Sequence, residues 1–203
     1  MLLTIMPVTG SNHYQITNKK TSPMGWFFFN RIIMGKFFLS DIFTLVPYEV
    51  YTPEIGKEAL SCQFSLDGSI EISSIVLEKE KAVVVFPADV SHTDIVTLPF
   101  VIRLIEEASS VNEYNKVVFH YSCEKKLSHT IIYRGEELQL ANSFKAKNFE
   151  SALYFLFLSI KGLQMNPRQC TVQVCCNISK EQEGIFARFF KGFKVNNLDT
   201  LLQ

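Results

Sequence analysis

Between Val117 and Leu140 the sequence fixes a chain direction three times over, and this constrains the fold more than any other feature. Val117-Val118-Phe119-His120-Tyr121 and Thr130-Ile131-Ile132-Tyr133 are short runs of β-branched and aromatic residues. The polar stretch Glu124 to Ser128 separates them, and Arg134-Gly135 precedes a third run that begins at Leu138 and Leu140. Such runs bounded by turn residues predict successive strands, and connections this short leave only antiparallel neighbours. A chain of 203 residues can build one substantial core around such a unit.

The same alternation is expected upstream. Leu60, Cys62, Phe64 and Leu66 alternate with Ser61, Gln63 and Ser65, and after Asp67-Gly68 come Ile70, Ile72 and Ile75. Asp-Gly between alternating runs predicts a hairpin. Glu78 to Lys81 forms a charged turn, and Ala82-Val83-Val84-Val85-Phe86 forms a buried strand closed by Pro87, giving three antiparallel strands in succession. Residues 95 to 105 fit either a helix, through Ile95, Leu98, Val101, Ile102 and Ile105, or a strand pair, through Pro99 and the β-branched content. The strand pair is the expectation adopted.

Two helices are expected near the C-terminus. Asn148 caps the first, in which Phe149, Leu153, Leu156, Phe157 and Ile160 recur at helical spacing, and Gly162 stops it. Tyr154, Phe155 and Leu158 occupy its other side, so this helix, residues 149 to 161, is expected to be mostly buried. Cys170 to Ile178 returns to strand with Val172 and Val174 on one face. Ser179-Lys180-Glu181-Gln182 forms a capping box for a second helix, residues 180 to 191, which Ile185, Phe186, Phe189 and Phe190 line. The fold expected is mainly β, an antiparallel jelly-roll-like domain with two accessory helices, with α+β as the alternative. Residues 1 to 35 are read as an N-terminal extension and 36 to 203 as a single domain, with Met34 as an alternative start.

Composition narrows the function classes. Hydrophobic residues make up 47% and charged residues 20%, which argues for an ordered chain. The formal net charge is zero, with an acidic middle between mildly basic ends, so any attraction to nucleic acid or membrane has to come from local patches. The five cysteines, Cys62, Cys123, Cys170, Cys175 and Cys176, show no paired spacing, which points to a reducing, cytosolic compartment. The apolar stretch from Trp26 to Val46 is broken by Asn30, Arg31, Lys36 and Asp41. Each charge there costs about 2.5 to 3.5 kcal/mol at a membrane helix centre, which argues against a spanning helix. It fits core packing or peripheral membrane contact through Trp26, Phe27 and Phe28.

Catalytic patterns are absent from the sequence. His13, His92, His120 and His129 share no metalloprotease spacing, and neither a nucleophile elbow nor a glycine-rich phosphate loop occurs. Cys123 could join His120 and His129 as a thiol or metal cluster. A regular strand sets His120 and Cys123 on opposite faces, so buried thiols and satisfied histidines are expected instead. The chain is expected to be no enzyme, with no metal and no cofactor.

One resemblance runs from Val117 to Val174, about half the chain. Cys123-Glu124-Lys125-Lys126-Leu127 matches an apolar-acidic-basic-basic-apolar signature. Tyr154, then Ile160-Lys161, Met165, Cys170, Val172 and Val174 follow in one register. This pattern resembles the plant-virus movement proteins of the tobamovirus type, the thirty-kilodalton superfamily. Here Glu124 stands where that family has aspartate, and the connection from Glu124 to the helix is shorter. The resemblance implies a jelly-roll-like fold and a viral protein that carries nucleic acid or nucleocapsid between cells by modifying plasmodesmata. Glu124, Ile160, Met165 and Cys170 would be its signature residues. It further implies host plasmodesmal or membrane partners, possible self-association, and residence in host cytoplasm, plasmodesmata and peripheral endomembrane. Binding a single strand without sequence preference requires basic side chains along the phosphates, for which Lys125, Lys126, Lys145, Lys147 and Arg168 are the candidates. Met165-Asn166-Pro167-Arg168 with Cys170 also resembles rhabdovirus matrix proteins, and a matrix-type structural protein is the alternative function.

Overall fold

A computed structural model of the chain describes residues 3–8, 13–18, 36–66, 71–88 and 97–202. They fall into two compact units, the first from residues 1–35 and 42–96, the second from residues 36–41 and 97–203. The Asp67-Gly68 hairpin, Met34, and Trp26, Phe27 and Phe28 lie outside the described residues.

In the first unit, β1 (Leu3–Val8) and β2 (His13–Asn18) pair antiparallel. With β3 (Lys36–Phe38) assigned to the second unit, the next strand here is β4 (Thr44–Pro47), followed by helix α1 (Pro53–Gln63) and strands β5 (Ile72–Leu77) and β6 (Ala82–Pro87). The sheet order is β2-β1-β5-β6-β4, with β1 and β5 parallel. The expected strand at Leu60 to Leu66 is therefore mostly helix. Thr52 caps it by accepting the Ile55 N–H at 3.3 Å, and Pro53 occupies its first turn, where a missing N–H costs nothing. Gly56 and Leu60 are the buried residues of α1, so its period of 3.6 is faint while an accidental alternation, including the exposed Cys62, is conspicuous. Leu60 packs with Val46, Ile72, Val76, Val83 and Val85 in this unit's core.

In the second unit, β7 (Thr97–Pro99) pairs in parallel with β3 and leads straight into α2 (Phe100–Ser109). Pro99 sits extended just before the first helical residue, where its ring clashes with nothing. Phe100, Val101, Leu104, Ile105 and Ala108 then bury one helical face. The strand pair expected over residues 95 to 105 is thus largely a helix. The three strands read from Val117 onward appear as β8 (Asn115–Ser122), β9 (Leu127–Arg134) and β10 (Glu137–Lys145), an antiparallel meander. After α3 (Phe149–Gly162) comes β11 (Thr171–Val174), which lies parallel to β8. After α4 (Lys180–Phe189), β12 (Gly192–Val195) lies parallel to β11. The order is β10-β9-β8-β11-β12.

The jelly-roll expectation fails at these crossovers. A jelly roll keeps its pairs antiparallel, whereas α3 and α4 are crossover helices that return the chain to the same end of the sheet and make β11 and β12 parallel to β8. The sheet is also covered on both faces. Val117, Phe119, Ile132, Val172 and Val174 pack against α3 and α4, and Val118, His120 and Ile131 occupy the opposite face. This mixed α/β arrangement accounts for the consecutive apolar residues Val117-Val118-Phe119, which burial on one face alone would not require. The C-terminal segment is tied down by a polar chain. Asn196 Nδ2 donates to Glu107 Oε1 at 2.7 Å, and Glu107 Oε2 accepts from Arg103 at 2.9 Å.

Candidate functional site

The turn between β8 and β9 is Cys123-Glu124-Lys125-Lys126, with its four side chains exposed. Lys126 closes it in the left-handed region, φ 51°, and the Lys125 N–H donates to Ser122 Oγ at 3.3 Å. Because β10 runs antiparallel to β9, its last residue, Lys145, lies opposite Leu127 at this same end of the sheet. Ala146 N–H then donates to the Lys126 carbonyl at 2.8 Å, fastening the two lysine-bearing segments together. Lys147 follows, and Asn148 starts α3, its Oδ1 accepting the Ser151 N–H at 2.9 Å and the Ser151 hydroxyl at 2.5 Å.

A groove of about 490 Å³ opens here, lined by Lys145, Lys147, Asn148, Glu150, Ser151, Tyr154 and Phe155. Lys145 Nζ meets Asp41 Oδ2 at 3.2 Å, and Phe155 stacks on Phe144 with ring centroids 4.8 Å apart. The positive end of the α3 dipole lies at the same place. The arrangement offers ammonium groups and amide or hydroxyl donors on one side and aromatic rings on the other, which suits an anionic ligand with a flat apolar part.

Of the basic residues singled out in the sequence, Lys125, Lys126, Lys145 and Lys147 converge at this end. Arg168 does not. It belongs to a 3-10 turn, Pro167–Gln169, ahead of β11, and Asn115 Nδ2 donates to the Gln169 carbonyl at 3.3 Å, so Arg168 sits at the opposite end of β8. Glu124 is an exposed turn residue, whereas Ile160, Met165 and Cys170 are buried among the core side chains beneath α3. Burial pushes the Cys170 thiol up to about 11, the Cys176 thiol up to about 12, and that of Cys175 upward as well, which makes them poor nucleophiles.

The histidines form a different cluster from the one considered in the sequence. His120 and His129 face each other on the side of the sheet that carries Phe100, whose ring lies edge-on to His120 at 4.8 Å. Cys123 is in the exposed turn beyond them. His120 Nε2–H donates to Asp199 Oδ1 at 3.0 Å, and that bond holds the Asp199 carboxyl below its usual range. His129 Nε2–H donates to the Ser40 carbonyl at 3.1 Å. Burial, followed by the neighbouring His120, pushes the His129 pKa down to about 3, so its ring is neutral at physiological pH. Among the described residues, no group of three or more His, Cys, Asp or Glu side chains is placed to hold a metal ion. No helix among them is long and apolar enough to cross a membrane.

Residues 36–188 match a family described as a protein of unknown function, DUF3822. No curated protein matches the chain. Its structure is similar to a crystal structure from Bacteroides thetaiotaomicron VPI-5482 described as a protein with actin-like ATPase fold and unknown function. The TM-score is 0.69 at 17% identity, over 98% of this chain and 93% of that one. The fold is therefore that of actin-like ATPases, and the movement-protein resemblance is overturned together with the viral transport and plasmodesmal functions it implied, as is the alternative matrix-type function. Its pattern has a plain structural origin. Cys123 to Leu127 is a hairpin turn and its first strand residue, while Ile160, Met165, Cys170, Val172 and Val174 mark a helix that crosses back to a buried strand. Unrelated folds meet both demands with the same kinds of residue.

Proposed function

The chain belongs to the DUF3822 family of proteins of unknown function, and from that premise we propose that it binds a phosphate-bearing ligand, a nucleotide being the first to test, without turning it over. The single observation that carries this is the bond from Ala146 N–H to the Lys126 carbonyl, which gathers Lys125, Lys126, Lys145 and Lys147 at the N-terminal end of α3. Lysines act on phosphates as point charges, and the helix terminus adds its own positive end. A groove of about 490 Å³ has room for one nucleotide, ligand clefts running from roughly 300 to 1,000 Å³. Tyr154 and Phe155 supply rings on which a base can lie. The actin-like ATPase fold of the Bacteroides protein favours a nucleotide over other anions.

The groove lining favours holding over hydrolysis. Phosphoryl transfer needs carboxylates for a metal ion and a group that positions water, and the lining carries one carboxylate, Glu150. The test is calorimetric titration of the full chain with ATP, ADP and pyrophosphate, beside an assay for released phosphate. Binding is expected without release. Lys126→Ala and Lys147→Ala weaken it severalfold, and Arg168→Ala leaves it unchanged. Binding that ignores both lysines, or no binding at millimolar ligand, overturns the assignment.

A further inference from the structure

The expectation that α3 is mostly buried fails on one side. Glu150, Tyr154, Leu158 and Lys161 are all exposed, and their spacing of four, four and three residues puts them in one stripe along the helix. Tyr154 is 62% and Leu158 47% exposed. The apolar surface continues onto α4, because Phe157 lies edge-on to Phe189 at 5.5 Å and Phe189 is itself 41% exposed. The outer face of a surface helix ordinarily carries polar side chains, and a contiguous aromatic and aliphatic strip between two charges has the make-up of an interface, with an apolar centre and a charged rim.

The charges name the occupant. Glu150 stands at the N-terminal end of the strip and Lys161 at the C-terminal end, and neither forms a salt bridge among the described residues. We propose that a second copy of this chain covers the strip, α3 packing antiparallel on the same helix of its partner about a two-fold axis. In such an interface, if residue i meets residue j, then j meets i. An axis beside the midpoint of Tyr154 and Leu158 sets Tyr154 against Leu158 of the partner subunit. The same axis, nearly equidistant from the charged pair, sets Glu150 against Lys161 of the partner subunit. A parallel arrangement would instead oppose like charges at both ends, which costs affinity. Antiparallel helices also set their dipoles in opposition.

Glu150 and Tyr154 also wall the groove, so the test uses no ligand and reads mass alone. Sedimentation equilibrium of the full chain over a wide concentration range is expected to show a monomer–dimer equilibrium. Glu150→Lys and Lys161→Glu each raise the dimer Kd by roughly tenfold or more. The double variant regains dimerisation, and an equimolar mixture of the two single variants forms a mixed dimer, because the reversed charges then meet opposite partners. Leu158→Asp leaves a monomer where the wild type is a dimer. The sites are exposed, and thermal midpoints within a few degrees of wild type exclude unfolding as the cause. A wild type that stays monomeric, a double variant no better than the singles, or open assemblies larger than a dimer would each overturn the two-fold arrangement.

Discussion

His120 and His129 are directly opposed across β8 and β9, with ring centroids 5.8 Å apart and neither ring exposed to solvent. Each directs its Nε2–H to a fixed acceptor, Asp199 for His120 and the Ser40 carbonyl for His129. The pair anchors both ends of the second unit, residues 36–41 through Ser40 and the C-terminal turn through Asp199.

Acid should therefore loosen this unit before general acid unfolding begins. The folded-state pKa of His129, about 3, lies below the ordinary histidine value of 6.5. Between those values the unfolded chain binds the extra proton, so stability is full above pH 6.5 and declines as pH falls toward 3, by an amount on the order of a few kcal/mol. Asp199 adds to the same trend at the acid end, since its lowered pKa gives stability that is lost as the carboxyl protonates. Urea midpoints at pH 7 and pH 5 measure the slope. His129→Gln is expected to be less stable at pH 7 but flatter with pH, and an unchanged slope would exclude His129 as its source.

The turns of the same sheet allow a paired test of backbone strain. Lys126 has φ 51° and Gly135 has φ 61°, both in the left-handed region. A side chain there costs roughly 1 to 2 kcal/mol, part of which glycine returns through its freedom in the unfolded chain. Lys126→Gly should thus raise stability by roughly 0.5 to 1 kcal/mol while weakening ligand binding in the groove. Gly135→Ala should lower stability by roughly 1 to 2 kcal/mol, because its Cβ would also meet the Tyr114 ring at 3.1 Å. Thermal unfolding beside titration separates the effects, and a Lys126→Gly protein that is less stable would mean the turn depends on its lysine for structure.

Removing the cap of α3 probes the groove and the helix together. Asn148→Ala deletes the acceptor for the Ser151 N–H and hydroxyl, and should cost about 1 kcal/mol of stability. Asn148→Asp keeps the acceptor and adds a negative charge to the groove. It should therefore hold the thermal midpoint and lose affinity for pyrophosphate, whereas equal affinity in wild type and Asn148→Asp would place the ligand elsewhere.

How far the sequence foretold all this depends on the kind of order involved. The β8–β9 hairpin was legible as two strands and a turn but not in its register: the polar stretch runs from Glu124 to Ser128, whereas the turn is Cys123 to Lys126 and Ser128 is a buried residue of β9, so that Ser122 pairs with Leu127 and His120 with His129. The caps of α3 and α4 were legible too, because Asn148 and Ser179 act on residues three positions away. What failed was anything decided at long range or by a single buried side chain. Helix α1 was hidden because its inward face is little more than Gly56 and Leu60, although Thr52-Pro53-Glu54 is a local start signal for it. The parallel places of β11 and β12 depend on where two crossover helices pack, which no local pattern encodes. The lysines were visible individually. Their convergence rests on one backbone bond, Ala146 to Lys126, across a whole strand pair.

Self-association and ligand binding should be coupled through Glu150. It is the one carboxylate lining the groove, and in the two-fold dimer Lys161 of the partner subunit stands against it. Neutralising that charge removes a repulsion felt by any phosphate held by Lys145 and Lys147, so the dimer should bind the ligand more tightly than the monomer. Each dimer holds two ligands, so linkage then requires saturating ligand to tighten the dimer by the square of that factor. Saturating pyrophosphate should lower the dimer Kd severalfold in sedimentation equilibrium. In the double variant Glu150→Gln, Lys161→Gln neither position brings a charge to the groove in either state, so the monomer should bind pyrophosphate as well as the dimer does and the ligand should no longer shift the mass. If pyrophosphate binds and the wild-type dimer Kd stays where it was, the groove and the strip are separate surfaces and Glu150 belongs to the strip alone.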